Sequence, residues 1–128
     1  DGGLFGLYAG TGADEVAELV TVVCDELRRV ASDPMAEDEI TRSRAQIKAG
    51  VLMSLESTSS RAERLARHLQ VYDRIITVDE IARRIDAVSA EDVRRVAERL
   101  LASAPTLASL GPVGGLQDYE TVKARLGA

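Results

Sequence analysis

Leu4-Phe5-Gly6-Leu7-Tyr8-Ala9 is a short apolar run closed by Gly10-Thr11-Gly12. Its two alternating faces are both apolar, the pattern of a strand covered on both sides. One other segment, Thr106-Leu107-Ala108-Ser109-Leu110 between Pro105 and Gly111, also reads as a strand. Two short strands separated by a long helical stretch do not make a sheet that stands alone. The expected fold class is therefore α+β: a helix-rich fragment of a two-layer domain with an antiparallel or mixed sheet, most of whose strands lie upstream. The start Asp1-Gly2-Gly3, without Met or a signal-like segment, points the same way.

Between the two runs the chain is helical. Thr11 stands three residues before Asp14, a capping-box spacing in which the hydroxyl can take an orphan backbone N–H. Val16, Leu19, Val20, Val23, Leu27 and Val30 then recur at three- and four-residue steps, predicting an amphipathic helix to about Ala31. Ser32-Asp33-Pro34 ends it. A second helix begins near Glu37 behind Ala36, a weak cap, and carries Ile40, Arg44, Ile47, Val51 and Leu55 in one stripe. Gly50 inside it should cost about 1 kcal/mol relative to Ala, and predicts close approach of another element. Ser57-Thr58-Ser59-Ser60 breaks the pattern and caps a third helix with Ala62, Leu65, Ala66, Leu69 and Tyr72 inward. Thr77 with Glu80 and Ser89 with Asp92 open two shorter helices, Pro105 stops the last of them, and Tyr119 to Leu126 predicts a terminal one. The predicted core includes Leu7, Leu19, Val23, Ile47, Val51 and Leu107, with Arg28, Glu63, Arg84 and Arg94 exposed.

The chain has 128 residues, 45% apolar and 29% charged, which is the composition of a globular protein. A formal net charge of −5 argues against nucleic acid or an acidic membrane as partner, because phosphate binding needs a basic footprint. Only Phe5, Tyr8, Tyr72 and Tyr119 are aromatic, too few for stacking recognition of bases or sugars. Arginines interleave with acids at helical spacing, the mark of solvated faces. No apolar run is long enough to span a bilayer.

Candidate chemistry is sparse. His68 and Cys24 are the only residues of their kinds, far apart in sequence, and no H-x-x-E-H or H-E-x-x-H occurs. A catalytic zinc site needs about three protein ligands, so no metal ligand is assigned here. His68 reads as a solvent-edge or packing residue and Cys24, among Val22, Val23 and Leu27, as a small buried hydrophobe. The serines at 57, 59 and 60 lack a placed general base, so capping accounts for them better than nucleophilic catalysis. Gly10-Thr11-Gly12-Ala13 has the look of a phosphate loop but lacks its Lys, and Asp14 and Glu15 would repel phosphate. The pairs Asp25-Glu26 and Asp38-Glu39 suit helix turns. No catalytic residue is assigned, and no substrate-binding residue can be named.

The succession as a whole resembles one family. Gly3 to Thr11, Ala45-Gln46-Ile47-Lys48-Ala49, Leu52-Met53-Ser54-Leu55-Glu56-Ser57, Ser60-Arg61-Ala62-Glu63 and Ile85-Asp86-Ala87-Val88-Ser89-Ala90-Glu91-Asp92-Val93 are similar, in order and spacing, to zinc peptidases of the pitrilysin and mitochondrial-processing-peptidase type, the inverzincins, in their bacterial branch. The resemblance covers essentially the full chain. It implies two similar α+β domains in the longer protein. The first would bear H-x-x-E-H and a downstream Glu that hold zinc, and the second would close over a peptide substrate. Residues 1–128 would be the C-terminal portion of that second, non-zinc-binding domain. In some members the second domain places an Arg and a Tyr near the scissile bond, within an R-G-L-A-Y-like segment before the run matching Leu4 to Ala9. That segment is absent, so Tyr8 is not that tyrosine and no catalytic residue carries over.

The function so implied is the structural, substrate-chamber half of a zinc-dependent metalloendopeptidase, inactive by itself, with zinc bound outside this segment. Its partners would be the zinc-binding N-terminal domain of the same or another chain, a peptide substrate, and a second subunit in a homo- or heterodimer. The alternatives are a non-catalytic homologue serving as an assembly subunit and a free-standing helical interaction module. The Arg and Ala bias points to a GC-rich bacterial genome, and the cytoplasm is preferred over the periplasm.

Overall fold

The computed structural model describes residues 3–127. Asp1, Gly2 and Ala128 lie outside them, and with them the Asp1-Gly2 start on which the fragment expectation partly rests. Among the described residues there is no strand. The elements are a 3-10 turn, Ala13–Glu15, and helices α1 (Val16–Ser32), α2 (Glu37–Ser54), α3 (Thr58–Tyr72), α4 (Val78–Asp86), α5 (Ala90–Leu101) and α6 (Tyr119–Leu126). They fall into two compact units, one of residues up to Pro34 together with Glu91 onward, the other Met35–Ala90.

The first unit is organised by α1 and α6. Val20, Cys24 and Leu27 lie at four- and three-residue steps on one face of α1. Cys24 is buried with Val122 and Leu126 of α6, and Leu101 closes the cluster. A fully buried aliphatic side chain of this kind contributes about 1.5–3 kcal/mol. Helix α6 has eight residues, too few to persist alone in water. Packing on α1 holds it, and its ends are sealed. The Asp118 carboxylate accepts the Thr121 N–H at 3.0 Å, and Gly127 turns left-handed at φ 80°. At the surface Arg125 forks onto Asp25, Nε to Oδ1 at 3.2 Å and Nη2 to Oδ2 at 3.0 Å. The Tyr119 hydroxyl donates to the Pro105 carbonyl at 2.9 Å.

The second unit holds α2, α3 and α4, with Ile40, His68 and Ile76 buried. Its caps follow the sequence reading. Ser57 Oγ accepts the Ser60 N–H at 3.3 Å, and Thr77 Oγ1 the Glu80 N–H at 3.2 Å. No side chain caps α2 at Ala36. Asp73 ends α3 in the left-handed region, φ 53°, a conformation its short polar side chain tolerates. Helix α2 is tied to the α4 region by Arg44, whose Nε and Nη2 reach the Val88 carbonyl at 3.1 and 2.6 Å. Lys48 adds a bond to Asp86 at 2.5 Å.

Several expectations are corrected here. The α+β class fails for the described residues: 4–10 and 106–110 belong to no strand and no helix. A strand satisfies its backbone only through a neighbour, and no neighbouring strand is present. Leu4 and Tyr8 are 98% and 96% exposed and Leu110 fully so. Leu7, Ile47 and Leu107, assigned to the core, are likewise exposed, whereas Leu19, Val23 and Val51 are half-buried. Arg28, Glu63 and Arg84 are exposed as expected, but Arg94 is partly covered by its bonds to Glu91 and Glu98. Thr11 does not cap a backbone N–H; its hydroxyl donates to Glu15 Oε2 at 2.5 Å. Among the described residues nothing comes within 4 Å of the place a Cβ on Gly50 would take, so the expected close approach is not seen.

Candidate functional site

The segment joining α3 to α4 gathers most of the polar chemistry of the second unit. His68 and Tyr72 are four residues apart on α3 and therefore neighbours on one face. Their rings meet edge to face, centroids 6.1 Å apart at 69°, a favoured aromatic arrangement. His68 is 8% exposed, and its Nδ1 accepts the backbone N–H of Ile76 at 3.2 Å. In the neutral ring the proton then sits on Nε2. The bond fastens the chain after α3 to the helix it has just left, which is why Ile76 is buried so close to a helix end.

Beside these rings lies an open trough of about 310 Å³, walled by His68, Tyr72, Ile76, Ile81, Arg84, Ile85 and Val88. Four of its seven lining residues are aliphatic. At its margin Glu80 takes three bonds: from Arg74 Nη1 at 2.8 Å, Arg74 Nη2 at 2.6 Å and Arg84 Nη2 at 2.7 Å. The Arg74 bonds first, and then the two positive charges, hold the Glu80 carboxyl down to about 2. This fork clamps the α3–α4 connection onto α4 and leaves Glu80 without capacity as a proton donor near neutrality.

The residues singled out from sequence fall in separate places. Cys24 is 2% exposed within the α1–α6 cluster, and burial first pushes its thiol up, against a lowering by Arg125. Such a thiol is a poor nucleophile and a poor metal ligand. His68 is in the other unit with Nδ1 engaged. The Ser57 hydroxyl is spent as a cap on the backbone N–H of Ser60; Gly10 to Gly12 form an exposed loop before the 3-10 turn, and Tyr8 is exposed. Among the described residues no three His, Cys, Asp or Glu stand together as a metal site. The donors present do not fit zinc. Sequence reading missed the Arg74–Glu80–Arg84 fork and the Arg125–Asp25 pair. The first was open to discovery, since Arg84 lies four residues from Glu80; the second joins residues 100 apart and left no local signal.

Residues 1–47 match the family described as the peptidase M16 inactive domain. Over 123 residues the chain is 35% identical to the mitochondrial-processing peptidase subunit beta of Mus musculus, covering 95% of this chain and 25% of that one. It is 37% identical over 125 residues to the subunit alpha of Solanum tuberosum, covering 96% and 25%. An uncharacterized zinc protease of Streptomyces coelicolor is 34% identical over 113 residues, covering 88% and 25%. The chain is thus a relative of the pitrilysin and mitochondrial-processing-peptidase family, as its sequence pattern suggested. It spans about a quarter of the length of these curated relatives.

Proposed function

We propose that residues 1–128 are the C-terminal portion of the second, non-zinc-binding domain of a longer zinc-dependent metalloendopeptidase, and serve there as a structural wall of the substrate chamber. One observation carries the reading: in a chain similar to peptidases along nearly its whole length, His68, Glu80 and Cys24 are each engaged in holding the fold. His68 caps a backbone N–H, Glu80 is saturated by arginines, and Cys24 packs under α6. Nothing among them is poised to attack or protonate a peptide bond. In a protein of this kind zinc would be held by the preceding domain, and this chain's residues supply no step at the metal.

The similarity to both alpha and beta subunits supports pairing with a second chain, or with the N-terminal domain of the same one. A bacterial source, for which the Arg and Ala bias speaks, and a cytoplasmic site are part of the same proposal. The test is made on the full-length protein. Zinc content, cleavage of an unstructured peptide before and after chelation, and mass by light scattering are measured together. Chelator-sensitive cleavage with about one zinc per active site is expected. A full-length protein without zinc that cleaves nothing would instead identify an assembly subunit.

A further inference from the structure

The joint between α3 and α4, residues 73–77, is pinned by two side-chain contacts of different chemistry. On the α3 side the backbone N–H of Ile76 donates to His68 Nδ1 at 3.2 Å. On the α4 side Arg74 forks onto Glu80 at 2.8 and 2.6 Å. The first contact needs a neutral imidazole, because a free lone pair on Nδ1 exists only while the ring proton sits on Nε2. A second proton has one place to go, Nδ1, where it would meet the Ile76 N–H head on. The imidazolium and this bond are therefore mutually exclusive.

The surroundings sharpen the choice. His68 is 8% exposed and Ile76 6%, so the N–H loses an acceptor that water does not readily replace. Tyr72 of α3 meets the ring edge to face, Arg84 of α4 stands in the same trough wall, and Arg64 lies one turn earlier on α3. No residue walling the trough is an acid. Glu80, at its margin, is already taken by Arg74 and Arg84. An imidazolium at this place therefore loses its bond and gains no counter-ion. The Arg74–Glu80 fork is indifferent to the same proton, since the Glu80 carboxyl is held down to about 2.

We propose that His68 is a proton-operated latch on the joint 73–77: the neutral ring holds Ile76 against α3, and a second proton releases it while Arg74 keeps the joint tied to α4. The direction follows from which form can take the proton. The latched form has no place for it and the released form has, so the latch is closed above the ordinary imidazole value of about 6.5 and opens as pH falls through it.

The experiment is amide hydrogen–deuterium exchange at residue resolution on the full-length protein, each rate divided by its intrinsic chemical rate. Between pH 7.5 and 5.5 the Ile76 amide should open roughly tenfold more often, because an ordinary imidazole is protonated about ten to one at one unit below 6.5. Val122, whose N–H is held by the Asp118 carbonyl at 3.1 Å in the other unit, is the reference and should not change. No acceleration of Ile76 beyond Val122 overturns the proposal. In His68→Asn the side-chain oxygen takes the place of Nδ1 and gains no proton in this range, so the acceleration should vanish; its persistence overturns the proposal as well. Should that variant not fold, the profile of the unmodified protein decides. A one-proton rise beginning near pH 6.5 is expected, and a rise that begins only in the carboxylate range, below about pH 5, overturns the latch.

Discussion

The run Leu4 to Ala9 and helix α1 are both rich in apolar residues, and the structure treats them in opposite ways. Cys24 on α1 is 2% exposed; Leu4 is 98% exposed. The difference lies in the backbone. A helix closes its own hydrogen bonds, so α1 needs only one partner face, which α6 supplies. An extended segment has every N–H and C=O pointing sideways and is ordered into a sheet only by another strand. Apolar content alone therefore does not bury a segment; it must also bring, or find, its hydrogen-bond partners.

The strongest way to break that comparison is to truncate both sides of it. Leu126→Ala, within the α1–α6 cluster, should cost about 2–5 kcal/mol by chemical denaturation. Leu4→Ser should change stability by less than about 0.5 kcal/mol. Equal losses would show that the run 4–9 is covered. Next in size is the second unit's helix start: Thr77→Ala removes the acceptor for the Glu80 N–H and should cost about 1 kcal/mol. Gly50 offers a change of opposite sign. With no atom within 4 Å of an added Cβ, Gly50→Ala should stabilise by about 0.5–1 kcal/mol. Destabilisation in a melting experiment would mean that another element rests on that turn after all.

The electrostatic effects are smaller and depend on pH and salt. Glu80 has its acidity displaced from 4.5 to about 2, so the folded state holds its proton less tightly than the unfolded chain. Its contribution is present above about pH 4.5 and is lost as pH falls toward 2. Urea midpoints measured across that window should decline in the parent and decline less in Glu80→Gln. The exposed Arg125–Asp25 fork should give the least: Arg125→Ala should shift the midpoint slightly at low salt and hardly at all at high salt.

Much of the helical layout was legible. The 3.6-residue periodicity and the caps at Ser57 and Thr77 placed α1 to α6 within a few residues, because these signals are local and act through neighbouring backbone. Tyr119 to Leu126 was read with the bounds the structure shows. The failures were nonlocal. Ile47 lies on a correct apolar stripe of α2 and is 54% exposed, because periodicity says which face would be buried and not whether anything covers it. The two apolar runs were read as strands for the same reason.

The sequence by itself determined the helices, their caps, the kinship with a peptidase family, and the lack of a zinc motif within these residues, all of which rest on spacing along the chain. Tertiary structure alone decided that α6 is what covers Cys24, that Arg125 finds Asp25 across 100 residues, that His68 turns Nδ1 toward Ile76, and that two Arg64 donors have no acceptor among the described residues. Each of those depends on which distant surfaces meet. That is set by the balance of buried area, hydrogen-bond satisfaction and charge pairing in three dimensions, a balance that no local run of residues encodes.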